Sequence, residues 1–250
     1  EKLVGKTNGR PVLYYAKRED NTADSCFSNL VGHGGSLRRA VQLAQAAVLY
    51  PQGRLNTLII GQGGTGKKFL AMLMHRYAME SGTILPDAPY HLLDCAGCEQ
   101  EDELLTELFG DGERAGRYEE ARRGTLVIDG LHLTGSVFRS QLLEKLQASG
   151  GEDESPDPMI VILCDGNHTV ARVFQQRLPV TIELPALSER PLEERKELIQ
   201  NFLTLEAARA HRSIVISAEL MRCLLLYDTD YNIARLKYDI KLGCANAYYC

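Results

Sequence analysis

The run Leu55-Asn-Thr-Leu-Ile-Ile60 passes directly into Gly61-Gln-Gly-Gly-Thr-Gly-Lys-Lys68, after which Phe69, Leu70, Leu73 and Tyr77 recur at helical spacing. A short apolar run with β-branched residues reads as a buried parallel strand. Strand, glycine loop and helix in that order bring backbone N–H groups and a helix N-terminus to one point, an arrangement that receives phosphate. The octapeptide meets the pattern G-x-x-x-x-G-K-[ST] at Gly61, Gly66 and Lys67 and breaks it at Lys68, where a hydroxyl is expected. The expected cofactor-binding residues are therefore Gly61, Gln62, Gly63, Gly64, Thr65, Gly66, Lys67 and Lys68, with ATP or ADP as the ligand. Lys67 is placed to reach the β- and γ-phosphates. A ligand-free turn is the competing reading, and the flanking strand and helix patterns argue against it.

Lys68 removes the hydroxyl that would ordinarily ligate Mg²⁺, and a protonated ammonium cannot replace it as a ligand. It can neutralise phosphate charge, so nucleotide binding survives with its Mg²⁺ dependence weakened. An ammonium in an empty loop could also mimic bound charge. The second nucleotide element is expected at Gly124-Thr-Leu-Val-Ile-Asp129, an apolar strand ending in an acid. Asp129 can hold Mg²⁺ directly or through water, and the alternative is an acid that merely makes a turn. Gly130 follows it, so no carboxylate stands next to Asp129 to polarise water, and His132 is a speculative substitute.

At 250 residues the chain can build one sizeable α/β core plus a smaller unit. A net charge of −5 gives no general attraction to nucleic acid, so DNA binding by this segment is not expected. No apolar stretch approaches the ~20 residues needed to cross a bilayer, and no signal peptide is visible. The seven cysteines are scattered and odd in number, which fits reduced cytoplasmic thiols better than a disulfide framework. Cys95-Ala-Gly-Cys98 is a lone C-x-x-C with no second pair, which favours two buried or half-buried thiols over a zinc site.

Residues 1–18, with Val12-Leu-Tyr-Tyr15, read as a hairpin-like piece, and the polar stretch Glu19 to Ser25 as a linker. From Ser36, a good N-cap, Leu37, Val41, Ala44 and Val48 mark an amphipathic helix. Strands are expected near Tyr90 to Leu93, Leu126 to Ile128, Met159 to Leu163 and Val180 to Leu184, with helical patterns between them. Such alternation argues for a parallel sheet covered by helices on both faces. Gly150 to Pro158 reads as an acidic surface loop. Beyond Pro185 the pattern is all-helical, with helices expected over Pro191 to His211, Ser217 to Asp228 and Asn232 to Tyr249 forming a small lid.

In order and spacing these residues resemble the AAA+ central domain of sigma-54-dependent transcriptional activators, in the phosphotransferase-regulated branch typified by levanase- and mannose-operon regulators. The resemblance runs from Phe27 to about Tyr249. It is carried by Asn29-Leu-Val-Gly32, Gly35-Ser-Leu37 and Ala44-Gln-Ala-Ala-Val48 before the phosphate loop, then by Leu93-Asp-Cys-Ala96 and Glu107-Leu-Phe-Gly110. In the lid it is carried by Leu184-Pro-Ala-Leu-Ser-Glu-Arg190, Leu192-Glu-Glu-Arg195 and Asn232-Ile233 with Leu236-Lys237. Gly9-Arg-Pro-Val-Leu-Tyr14 resembles the last strand of a preceding winged-helix domain. The implied organisation is a winged-helix tail at 1–18, a linker at 19–29, a P-loop α/β AAA+ subdomain at 30–185 and a helical lid at 186–250.

The resemblance implies a module that binds ATP at a subunit interface within a ring, commonly a hexamer, and remodels sigma-54 RNA polymerase by hydrolysis. DNA contact would come through domains outside this chain, in the cytoplasm. Asp129 matches the metal-associated acid. Arg177, in Phe174-Gln-Gln-Arg-Leu178, matches an arginine that reaches a neighbour's γ-phosphate, a contribution worth about 10³–10⁵ in rate in such enzymes. Pairing with a surface acid is the equal alternative for Arg177, since Gln176 stands where a second arginine is frequent. Asp165 and Asn167 are candidates for sensing the γ-phosphate or for capping the next helix. Ala234 occupies the lid arginine position, with Arg235 about 100° around the helix. Between Gly110 and Gly124 the family's Gly-Ala-Phe-Thr-Gly-Ala-type contact loop is replaced by the shorter, charged Asp111 to Arg123. Metal hydroxyl, water-polarising glutamate and partner loop are thus altered together. The expectation is an ATP-binding regulator module with weak or no hydrolysis, the alternative a nucleotide-gated scaffold that does not contact sigma-54. Restoring Ser at position 68 and Glu at 130 should raise turnover if only those parts are missing.

Overall fold

The computed structural model describes residues 3–7, 10–14, 25–51, 54–97, 100–148, 156–166 and 168–249. Most of the expected linker, Cys98, Asn167 and most of the acidic loop at 150–158 lie outside the described residues. Strands β1 (Leu3–Thr7) and β2 (Arg10–Tyr14) pair antiparallel as a hairpin, with Leu3 opposite Tyr14.

The remaining strands are β3 (Thr57–Ile60), β4 (Tyr90–Asp94), β5 (Thr125–Asp129), β6 (Met159–Cys164) and β7 (Val180–Glu183). They form one five-stranded sheet in the order β4-β5-β6-β3-β7, with every pairing parallel. The apolar runs at β3, β5 and β6 lack an obvious alternation because both faces of the sheet are buried. Ile59, Val127, Val161 and Leu163 enter one core with Leu70, Leu73 and Met74 of α2 (Lys67–Glu80) and Val41 and Ala44 of α1 (Arg38–Val48). Leu58, Ile60, Leu126, Ile128, Ile160 and Ile162 enter the opposite core. There they meet residues of α3 (Glu101–Phe109), α4 (Arg117–Glu120), α5 (Ser136–Ala148) and α6 (Thr169–Gln175). The expected helix-covered parallel α/β sheet is therefore observed.

Helices α7 (Leu192–Ala210), α8 (Ala218–Leu225) and α9 (Asn232–Tyr249) follow the sheet. Their core is small: Leu187, Leu198, Ile199, Leu236 and Ile240 close around Val31, and α8 contributes no fully buried residue.

Two details depart from expectation. Ser36 does not cap α1; the helix is preceded by Leu37 with no side-chain cap. Its N–H and hydroxyl are instead given to the carboxylate of Glu194 on α7. A charge-assisted bond to a buried carboxylate outcompetes the local cap. The charged stretch at 111–123 is also more than a loop. It holds α4, whose Tyr118 is 1% exposed beneath the ammonium of Lys145, 4.5 Å from the ring centroid. Asp111 accepts the N–H groups of Glu113 and Arg114, and Gly110 bridges to Ala115, which folds the turn back on the end of α3.

Candidate nucleotide-binding site

Parallel register places the chemistry at one edge. Asp94 and Asp129 are register partners at the carboxyl ends of β4 and β5, and Ile60 of β3 pairs with Cys164 of β6 and Glu183 of β7. Loops leaving these ends converge where open α/β sheets take their ligands. The phosphate loop leaves β3 here and turns into α2 through Gly66, at φ 103°. Thr65 is almost fully buried and its hydroxyl donates to the carbonyl of Gln62 at 2.9 Å. Lys67 folds over the loop, its ammonium donating to the carbonyls of Gly61 at 2.6 Å and Gln62 at 2.9 Å. Burial pushes the Lys67 ammonium below the usual lysine range, partly opposed by the nearby charges of Asp129 and Asp165.

The departure at position 68 has a definite structural consequence. The Lys68 ammonium sits 2.8 Å from Oδ2 of Asp129 and 3.3 Å from Oδ2 of Asp94. Its pKa is raised, first by the hydrogen bond to Asp129. Mg²⁺ demands oxygen donors in octahedral geometry. Here position 68 supplies no oxygen and the carboxylate of Asp129 is already paired, so this donor set does not fit the ion.

Gly130 lies at φ 80°, in the left-handed region, and a Cβ there would meet Leu133 Cδ1 at 3.3 Å. A side chain is strained at this position whatever its chemistry. His132 packs against His168 with ring centroids 4.7 Å apart. Burial and then His168 lower its pKa, so the ring is neutral near pH 7, and its Nδ1 is buried with no partner among the described residues. Asp165 lines a cavity of about 250 Å³ together with Gly61, Gln62 and Glu189. Arg177 lies just beyond α6, exposed, with no acid partner among the described residues. Cys95 is buried and forms no disulfide among the described residues, and no cluster of three metal-ligating side chains occurs among them.

Three lid contacts were not among the expected site residues. Asn232, 2% exposed and at φ 49°, opens α9 and clamps the loop. Its amide donates to Gln62 Oε1 at 3.1 Å and the Gly63 carbonyl at 2.9 Å, while its oxygen accepts the Leu187 N–H at 2.7 Å. The Ala234 N–H donates to the Gly64 carbonyl, and any Cβ on Gly64 would fall 1.9 Å from the Tyr231 carbonyl. The glycine is required by the lid as much as by a phosphate. Arg190 is 3% exposed, with its guanidinium reaching the carbonyls of Val31 and Thr65. Arg235 points along α9 to Asp239 at 3.0 Å, so it does not supply the lid arginine that Ala234 lacks.

The family model described as the Sigma-54 interaction domain matches residues 30–153. Residues 30–153 belong to that family of AAA+ modules. The transcriptional regulatory protein DagR of Salmonella typhimurium is 36% identical over 251 residues, covering 92% of this chain and 26% of DagR. The transcriptional regulatory protein LevR of Bacillus subtilis is 27% identical over 238 residues, covering 88% of this chain and 26% of LevR. The AAA+ module thus spans about a quarter of these curated relatives. Among solved structures, NtrX from Brucella abortus in complex with ATP superposes with a TM-score of 0.68 at 20% identity, over 87% of this chain and 52% of that one. At that identity the likeness establishes the fold, and it is the fold in which NtrX holds ATP.

Proposed function

We propose that this AAA+ module is the nucleotide-binding part of a bacterial, phosphotransferase-regulated transcriptional regulator in the cytoplasm, binding ATP or ADP with little or no hydrolysis. The observation that carries the reading is the phosphate loop kept from Gly61 to Lys67, with Lys67 at the head of α2, beside a catalytic edge lacking its water-activating carboxylate. Gly61, Gly66 and Lys67 keep the residue types of the pattern, with Gly66 turning the loop into α2 and the Lys67 ammonium lying over the loop, which supports phosphate binding there. Gly130 offers no carboxylate and is held in a backbone geometry hostile to one. The 36% identity to DagR supports the assignment to the branch.

In this reading the module assembles into a ring, commonly of six, in which Arg177 reaches a neighbour's nucleotide. DNA is contacted by domains outside the chain. A second reading is favoured by one observation: the 111–123 segment is tied down by Tyr118 and Asp111 rather than projecting. A module so built would act as a nucleotide-gated scaffold without touching sigma-54. Calorimetry with ATP and ADP, followed by phosphate release on the same sample, tests the common core. Binding abolished by Lys67→Ala and no release is the expected result. Sustained release that Lys67→Ala removes would sink the low-turnover claim, and absence of binding would sink the nucleotide reading.

A further inference from the structure

Lys68 stands in the first turn of α2, a turn that carries no acidic residue. Two lysines at a helix N-terminus oppose the helix dipole, so the helix itself gives no reason for the second. The compensation comes from across the sheet edge. Asp94 and Asp129 end adjacent parallel strands at the same register position, and the Lys68 ammonium bonds both, at 3.3 Å and 2.8 Å. Two aligned carboxylates would otherwise repel each other and resist ionisation. One ammonium resolves that repulsion where a divalent ion would otherwise be required. The Lys68 side chain nevertheless remains half exposed, so its charge is still accessible to an arriving anion.

We infer that the Lys68 ammonium takes the place of the divalent cation, so that this module binds nucleotide free of metal. The inference rests on the nucleotide reading above. Lys67 and Lys68 together supply the positive charge at the loop, and Asp129 positions Lys68 instead of a metal ion. Because Mg²⁺ sequesters free nucleotide in solution, adding it should leave the affinity of the natural chain unchanged or weaken it.

The test is calorimetric titration of the 250-residue chain with ADP in EDTA and in excess Mg²⁺. Lys68→Ser and Lys68→Met are titrated alongside, each checked for an unchanged thermal transition. The natural chain should bind in EDTA, with any gain from Mg²⁺ below about threefold, or ~0.7 kcal/mol. Lys68→Ser should bind poorly in EDTA and recover with Mg²⁺, since it restores an oxygen ligand and frees Asp129. Lys68→Met, which keeps the apolar stem but offers neither charge nor oxygen, should bind poorly in both. Mn²⁺ paramagnetic resonance gives a second readout: bound ion in Lys68→Ser with ADP, none in the natural chain. A preference of the natural chain for Mg²⁺ of about tenfold or more, ~1.4 kcal/mol, would overturn the inference while leaving nucleotide binding intact. No binding in either condition would overturn the underlying nucleotide reading instead, so the two failures are separable.

Discussion

At Gly130 backbone geometry and chemistry pull in opposite directions. Replacing it with glutamate supplies the missing carboxylate but puts a branched-off Cβ at φ 80°, against Leu133. Strain of this kind costs on the order of 1–3 kcal/mol. Gly130→Glu should therefore lower the denaturation midpoint in urea, and should not by itself produce ATP turnover, because Asp129 is still engaged by Lys68. Turnover from the single substitution would show that the Lys68 pairing does not control the site. Adding Lys68→Ser releases Asp129 but leaves the strain, so restoring both residues is a harder repair than the sequence alone suggests. The loss of the hydroxyl and of the glutamate was legible residue by residue. That Lys68 would reach Asp129 and Asp94 was not, because it depends on the register between β4 and β5, which no local pattern encodes.

At the scale of elements, the lid is tied to the phosphate loop by the buried amide of Asn232, with the Ala234 N–H and the Arg190 guanidinium beside it. Asn232 satisfies the Leu187 N–H and the Gly63 carbonyl, and its left-handed backbone suits asparagine better than alanine. Asn232→Ala leaves the buried Leu187 N–H unpaired, at about 1–3 kcal/mol for an unsatisfied buried group, and removes the bond to the Gly63 carbonyl. The expected outcome is a lower unfolding midpoint together with faster amide exchange in α9 than in β5 and β6. Equal exchange in lid and sheet would mean that the clamp does not hold the lid. The sheet strands were readable because burial on both faces makes their apolar runs continuous. The lid helices were readable from their periodicity. Asn232, Arg190 and Glu194 entered only as members of family-like strings and not as site residues, since each has a partner more than a hundred residues away. Likewise α4 hides in a charged stretch, because Tyr118 and Ala121 supply the only buried side chains of that segment.

For the whole molecule, the decisive question is whether the site is complete within one chain. No described cation other than Lys67, Lys68 and the buried Arg190 bonds to the phosphate loop or to Asp129, and Arg235 is turned toward Asp239. Arg177 stands exposed beyond α6 with no acid to hold it among the described residues, a placement suited to a neighbour's site rather than its own. If it acts in trans, nucleotide should drive association, and the association should depend on Arg177. Sedimentation velocity across a concentration series is expected to show ATP shifting the natural chain to a larger species. Arg177→Ala should need a protein concentration about tenfold or more higher for the same shift, as loss of a charge-assisted contact implies. A mixture of Lys67→Ala and Arg177→Ala chains should assemble better than either variant alone, since each supplies what the other lacks. Identical assembly by Arg177→Ala and the natural chain would return Arg177 to the status of an ordinary surface cation. A chain that stays monomeric with saturating ATP would rule out the ring itself.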